Sequence, residues 1–114
     1  MSDCLFCKIC EGKIPAAITF RDDDVVVFKD INPKAPFHQL VIPIRHVPSL
    51  ATADDKDAAL LGKLMLVGAR LARESGQAEG GFRVVMNAGP DAGQSVLHLH
   101  LHVLAGRPLA WPPG

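Results

Sequence analysis

Gln94-Ser95-Val96-Leu97-His98-Leu99-His100-Leu101-His102-Val103-Leu104 is the stretch whose reading decides the fold. Polar and apolar residues alternate along it. Alternation is the mark of a β-strand, because successive side chains point to opposite faces. The pattern sets His98, His100 and His102 in one row and Leu97, Leu99, Leu101 and Val103 on the other face. A half-buried structural strand normally carries Thr, Ser, Lys or Glu on its polar side. Imidazole instead is a nucleophile, a general acid or base, or a metal ligand near neutral pH. A lone strand histidine is usually just a satisfied polar residue, but three in a row, in a chain with five histidines in all, point to function. Two chemistries fit. One is a metal held by His98 with His100 or His102, since strand-borne zinc sites use His-x-His. The other is attack of one imidazole on phosphorus, with its neighbours binding the phosphate; a covalent intermediate splits one difficult displacement into two.

Outward from this stretch, the segment Asn87 to Ser95, with Gly89, Pro90 and Gly93, reads as the loop leading into the row, and Gly81 to Asn87 as a fourth strand before it. Upstream, Thr52-Ala53-Asp54-Asp55 resembles a capping box with Asp in place of Glu or Gln. It opens a helix expected from about residue 53 to about 75, stopped near Gly76. Leu61, Leu64, Met65, Gly68 and Ala72 form its apolar stripe, widened by Leu60, Val67 and Leu71. Gly68 and Ala72 allow another backbone to come close. So wide a stripe suggests two buried surfaces, one on the sheet and one on a partner, or simply a hydrophobic helix in a small domain.

Phe37 to Ile44 reads as the third strand, headed by His38, with Pro43 favouring an edge or a strand end. Asp30 to Pro36 is a loop stiffened by Pro33 and Pro36. Ala16 to Arg21 and Val25 to Lys29 form a hairpin around Asp22-Asp23-Asp24. The run Val25 to Phe28 is continuously apolar, as in a strand covered on both faces. Leu5, Phe6 and Ile9 lie at helical spacing in a short N-terminal helix stopped by Gly12. Strands, one long helix, then strands again imply an α+β fold: a mostly antiparallel five-stranded sheet, one long helix and a short N-terminal helix.

The chain has 114 residues, enough for one domain spanning 1–114 with a small core. Twelve basic and 12 acidic residues leave no excess to hold a nucleic-acid backbone, so a bound phosphate belongs to a small ligand. No apolar run approaches a membrane span, and Met1 to Lys8 lacks the order of a signal peptide, so the expected location is cytoplasmic. Cys4, Cys7 and Cys10 are odd in number and crowded, which argues against a disulfide framework. Cys4-x-x-Cys7 and Cys7-x-x-Cys10 are each half a zinc site or a redox pair, or else buried small residues. No Gly-rich phosphate loop and no acidic pair for magnesium is present, so metal-free covalent catalysis is the simplest reading of the row.

His98-Leu99-His100-Leu101-His102-Val103-Leu104 resembles the signature of the histidine triad (HIT) superfamily. Asn87 to Ser95 before it, and Gly106-Arg107 through Trp111-Pro112-Pro113-Gly114 after it, resemble the Hint branch of purine nucleoside phosphoramidases. The resemblance implies hydrolysis of the P–N bond of purine nucleoside phosphoramidates through a nucleotidyl intermediate on His100. His102 would bind the phosphate, His38 would support the nucleophile, and Ser95 would lie near the leaving group. Gly93 and Gln94 would contact the phosphate, and Asn87 would help place it. Asp30 would accept from the ribose hydroxyls beside Ile31. Leu5, Phe6, Ile9 and Phe28 would wall the base; read as residues alone, these four are equally core, His38 a strand-end surface histidine, and Gly93 a turn glycine. The resemblance further implies a homodimer paired through the long helix and adjoining strand. It also implies, for relatives with the cysteine pair, a structural zinc on Cys4, Cys7, His46 and His98 that catalysis does not require. Two other functions stay open: a dinucleoside polyphosphate hydrolase, against which the Trp111-Pro112-Pro113-Gly114 ending speaks, and a nucleotide-binding interaction module with little turnover.

Overall fold

The computed structural model describes residues 3–114; Met1 and Ser2, part of the N-terminal stretch read above for a leader, lie outside the described residues. Helix α1 (Leu5–Cys10) comes first, capped by the Cys4 sulfur, which accepts from the Cys7 amide, and followed by Gly12 at φ 77°. Strands β1 (Ile18–Arg21), β2 (Val25–Lys29) and β3 (Phe37–Pro43) precede helix α2 (Ala58–Glu74), and β4 (Phe82–Val85) and β5 (Leu101–Ala105) follow it. The sheet runs β1-β2-β3-β5-β4 with every neighbouring pair antiparallel. This is the expected α+β architecture.

The sheet divides the interior in two. On one face Val25, Val27, Val41, Leu101 and Val103 meet Leu64, Val67 and Ala72 of α2. On the other, Val26, Phe28, Leu40 and Ile42 meet Phe6, Ile9 and Cys10 of α1. The apolar run of β2 therefore serves two cores, as a strand buried on both faces must.

Several boundaries differ from the sequence reading, each for a local reason. Helix α2 begins at Ala58, because residues 50–52 and 55–57 form two 3-10 turns. The capping box sits at Asp54 and Asp57, and the Thr52 hydroxyl donates to the Ser49 carbonyl instead. Met65 is half exposed, so the buried stripe of α2 runs through Leu64, Val67, Gly68 and Ala72. Strand β3 stops one residue short of Ile44, at Pro43, which marks a strand end as expected, on a central strand and not an edge. Strand β1 begins at Ile18 and β4 is confined to Phe82–Val85, since the ladder to β5 ends at the pair Val85–His102. The largest departure lies in the histidine row. Only Leu101–Ala105 pairs as strand β5. Upstream the Leu99 amide donates to the carbonyl of Val47, in the loop after β3, at 2.7 Å, so residues before Leu101 leave the sheet. Leu97 is consequently 68% exposed, and His98, Leu99 and His100 are all buried.

Candidate active site

Histidines gather on the α1 face of the sheet. His38 stands opposite Leu104, and His102 opposite Leu40, across adjacent strands β3 and β5. That diagonal relation puts the two rings on one face. The His38 and His102 ring nitrogens Nε2 and Nδ1 are 2.9 Å apart.

Hydrogen bonds fix which nitrogen carries each proton. The Lys34 amide donates to Nδ1 of His38 at 2.9 Å, so that nitrogen is a lone pair and the proton sits on Nε2. From there it is donated to Nδ1 of His102, with the Asp30 carboxylate 3.4 Å away as a weaker partner. His102 must then hold its own proton on Nε2, which makes that atom a donor. Burial holds both rings below the usual histidine range. It is opposed at His38 by Asp30, and at His102, pushed down to about 4, it is reinforced by His100 and His38. Both are thus neutral at neutral pH.

His100 is arranged the other way round. Its Nδ1–H donates to the His98 carbonyl at 2.8 Å, so in the neutral ring the lone pair is on Nε2. A neutral imidazole with its lone pair fixed in place is a competent nucleophile. The His100 and His102 rings are 5.1 Å apart, and Phe6 stands edge-on to His100 at the same distance. His100 and His102 are therefore held in opposite tautomers.

His98 belongs to a second constellation. Its Nε2–H donates to the Pro43 carbonyl at 2.7 Å, so its Nδ1 lone pair points away from that bond. Around it lie Cys4 Sγ at 3.3 Å, Cys7 Sγ at 3.5 Å and His46 Nδ1 at 3.1 Å, and His46 Nδ1 is 3.4 Å from Cys7 Sγ. A tetrahedral zinc with sulfur at about 2.3 Å and nitrogen at about 2.0–2.1 Å sets S–N spacings of about 3.5 Å and N–N spacings of about 3.3 Å. The four donors fit such an ion, and the carbonyl bond on His98 is the outer contact that metal-bound histidines make. Cys10 is not among them: it is buried in the α1 core, and burial pushes its thiol up to about 11. Asp30, His38 and His102 also converge, but the Lys34 amide on His38 Nδ1 demands a proton on Nε2, where a metal would have to bind. That group is a hydrogen-bond relay.

The remaining residues divide. Asn87 lies two residues past Val85, the last residue of β4 and the partner of His102, where the chain has left the ladder. Gly93, at φ 82°, and Ser95 are exposed in the loop before the triad. Gln94 is fully engaged: its Oε1 accepts from the Gly89 amide at 3.0 Å, and its Nε2 donates to the Pro48 and Val96 carbonyls. Its side chain ties the loop together, and its backbone amide does the same, donating to the Gly89 carbonyl at 3.1 Å. Asp30 Oδ1 accepts from the Asn32 amide, and Ile31 is 97% exposed. Phe6, Ile9 and Phe28 are core, with Phe6 also bordering His100, whereas Leu5 is 44% exposed. Sequence reading missed Lys34 and Pro43, because both act through backbone atoms, which leave no mark in residue type.

Two histidines held in opposite tautomers and a Cys₂His₂ cluster with zinc-like spacing, set on an antiparallel sheet backed by one helix, define the class: an α+β domain with a histidine row at its centre. The chain belongs to the HIT domain family, whose model matches residues 11–109. It is 49% identical over 112 residues to an uncharacterized HIT-like protein of Synechocystis sp., covering 98% of this chain and 97% of that one. A second uncharacterized HIT-like protein, from Synechococcus elongatus, is 47% identical over 112 residues, with the same coverage of 98% and 97%. The crystal structure of a HIT family hydrolase from Legionella pneumophila superposes with TM-score 0.97 at 44% identity, covering 98% of this chain and 100% of that chain. A histidine triad protein from Clostridium difficile gives 0.93 at 44%, covering 96% of each. Among the described residues no helix is long and apolar enough to cross a membrane.

Proposed function

We propose that this chain is a hydrolase of the Hint branch that cleaves the P–N bond of purine nucleoside 5'-phosphoramidates. The observation that carries the reading is the opposed tautomers of His100 and His102: a lone pair on one Nε2 and a proton on the other. His100 Nε2 attacks the α-phosphorus, and the bond to the amine breaks as the new P–N bond to His100 forms. The Nε2–H of His102 donates to the phosphoryl oxygens as negative charge concentrates there. The amine departs past Ser95, taking its proton from solvent water. Water then attacks the nucleotidyl-His100 intermediate and releases the nucleoside monophosphate and free His100. Two steps, each with a neutral imidazole as nucleophile or leaving group, replace one direct displacement.

The Cys4, Cys7, His46 and His98 cluster holds a structural zinc in this reading. The ion would supply folding stability by tying α1 to the triad segment. Catalysis needs no cofactor. The functional unit is a homodimer joined through α2 and β4; β4 is an open sheet edge, and Met65 and Leu66 of α2 are 50% and 71% exposed. Turnover of an adenosine phosphoramidate by wild type and by His100→Ala tests the activity: wild type releases AMP and the variant does not, and equal rates would sink the proposal.

A further inference from the structure

The loop that carries Asp30 and holds the His38 tautomer is itself gripped from the far end of the chain. Pro33 and Pro36 fix φ at two of its positions, and Pro36 also restricts Ala35. Lys34 is left between them with both backbone dihedrals free, yet its amide is the donor that sets His38. Arg107 supplies the missing constraint. Its Nε and Nη2 both donate to the Lys34 carbonyl, at 3.1 and 2.8 Å, and its Nη1 donates to the Pro108 carbonyl at 2.9 Å. Both sides of the fork are thus anchored to backbone, one on the loop and one on the C-terminal segment. Beside it, Gly106 lies at φ 95°, and a Cβ there would stand 2.9 Å from Cβ of Pro36. The turn after β5 therefore presses directly on the loop, at a distance that only glycine permits.

We infer that Arg107 is a positioning residue for the triad: by pinning the Lys34 carbonyl it holds the Lys34 amide on His38, and so keeps the donor proton of His102 on Nε2. The chain of contacts is continuous. Arg107 grips Lys34 O, Lys34 N–H donates to His38 Nδ1, and His38 Nε2–H donates to His102 Nδ1. Each link dictates the next, because a neutral imidazole carries one proton and must accept on the other nitrogen. Released from Arg107, Lys34 turns, His38 samples both tautomers, and His102 loses its fixed donor. Lysine cannot replace arginine here, since a single ammonium does not reproduce the planar fork.

The test pairs two readouts on the full chain. Ring nitrogen–proton correlation spectra report which nitrogen of His38 is protonated and need no substrate. Wild type is expected to show a single tautomer protonated at Nε2, and Arg107→Ala and Arg107→Lys a mixture. Arg107→Lys keeps the charge and the aliphatic stem, so it serves if the alanine variant does not fold. Arg83→Ala is the control: Arg83 donates to the Ala110 and Leu109 carbonyls of the same C-terminal segment, and its loss should leave His38 unchanged. In turnover of an adenosine phosphoramidate, both Arg107 variants should lose roughly tenfold in kcat with KM within about twofold, the pattern of a donor misplaced in the transition state. That arm rests on the proposed activity; an inactive wild type would count against the activity alone and leave the spectra to judge the latch. A single Nε2 tautomer in both Arg107 variants overturns the inference. So does equal mixing in Arg83→Ala, which would make any loosening of the C-terminal segment sufficient.

Discussion

Two glycines of α2 offer an internal comparison of how closely this helix presses on strand β5. Both lie within Ala58–Glu74, where alanine is the better helix former by about 1 kcal/mol. A Cβ at Gly62 would meet nothing within 4 Å, so Gly62→Ala should gain nearly that whole amount. A Cβ at Gly68 would lie 3.1 Å from Cγ2 of Val103, 3.5 Å from Cδ2 of Leu101 and 3.7 Å from Cγ2 of Val41. Those three neighbours are 1%, 1% and 0% exposed and belong to strands β5 and β3, so none has free space to retreat into. Overpacking of this kind costs typically about 1–3 kcal/mol, which outweighs the helical gain. Gly68→Ala should therefore be about 1 kcal/mol less stable than wild type, and about 2 kcal/mol below Gly62→Ala. Urea unfolding at one fixed protein concentration reads both, with unchanged slopes required for the comparison. Because Val103 adjoins His102, Gly68→Ala should also lower kcat while Gly62→Ala does not. Equal stabilisation by the two substitutions would refute the close approach of α2 to β5.

Other outcomes follow from the same geometry. The ring-proton signal of His102 should titrate with a midpoint near 4, pushed there by burial, and not near the ordinary 6.5. The unfolded chain then binds more protons at this position than the folded one between those values, so stability falls as pH falls from 6.5 towards 4; His102→Asn should flatten that part of the pH profile. Protein purified without a polyhistidine tag should carry one zinc per chain, and a strong chelator should lower its melting temperature more than it lowers turnover; clearly substoichiometric zinc with unchanged melting would leave only packed thiols. Sedimentation at micromolar concentration should give a dimer, and a charge placed at exposed Leu66, as in Leu66→Glu, should shift it toward monomer.

Much of this structure was legible in the residues. The continuous apolar run of β2, the Asp22–Asp24 turn and the Gly12 stop each had a local cause, and each element falls where that cause put it. Alternation put Leu101 and Val103 on the face opposite the histidines, and that face proves to be the core under α2. The sides hold upstream too, with Leu99 in that same core and His98 and His100 beside Phe6, but the strand itself stops at Leu101 and Leu97 is exposed, because the Val47 carbonyl takes the Leu99 amide, a long-range bond that no periodicity encodes. The four proposed zinc ligands do converge, although they are spread from residue 4 to residue 98. What sequence could not convey was the allocation of protons. His38, His98, His100 and His102 are chemically alike as letters, and their roles separate only through the carbonyls of Pro43 and His98 and the amide of Lys34.

The most direct measurement of the proposed chemistry is mass spectrometry of the protein quenched in alkali within one turnover of an adenosine phosphoramidate, since a phosphorus–imidazole bond is labile to acid. An adenylyl group is expected on the peptide carrying His100, localised to that residue, formed faster than AMP is released and missing from His100→Ala. Steady turnover with no adduct, or an adduct localised to His98 or His102, would contradict the assignment of His100 as the nucleophile.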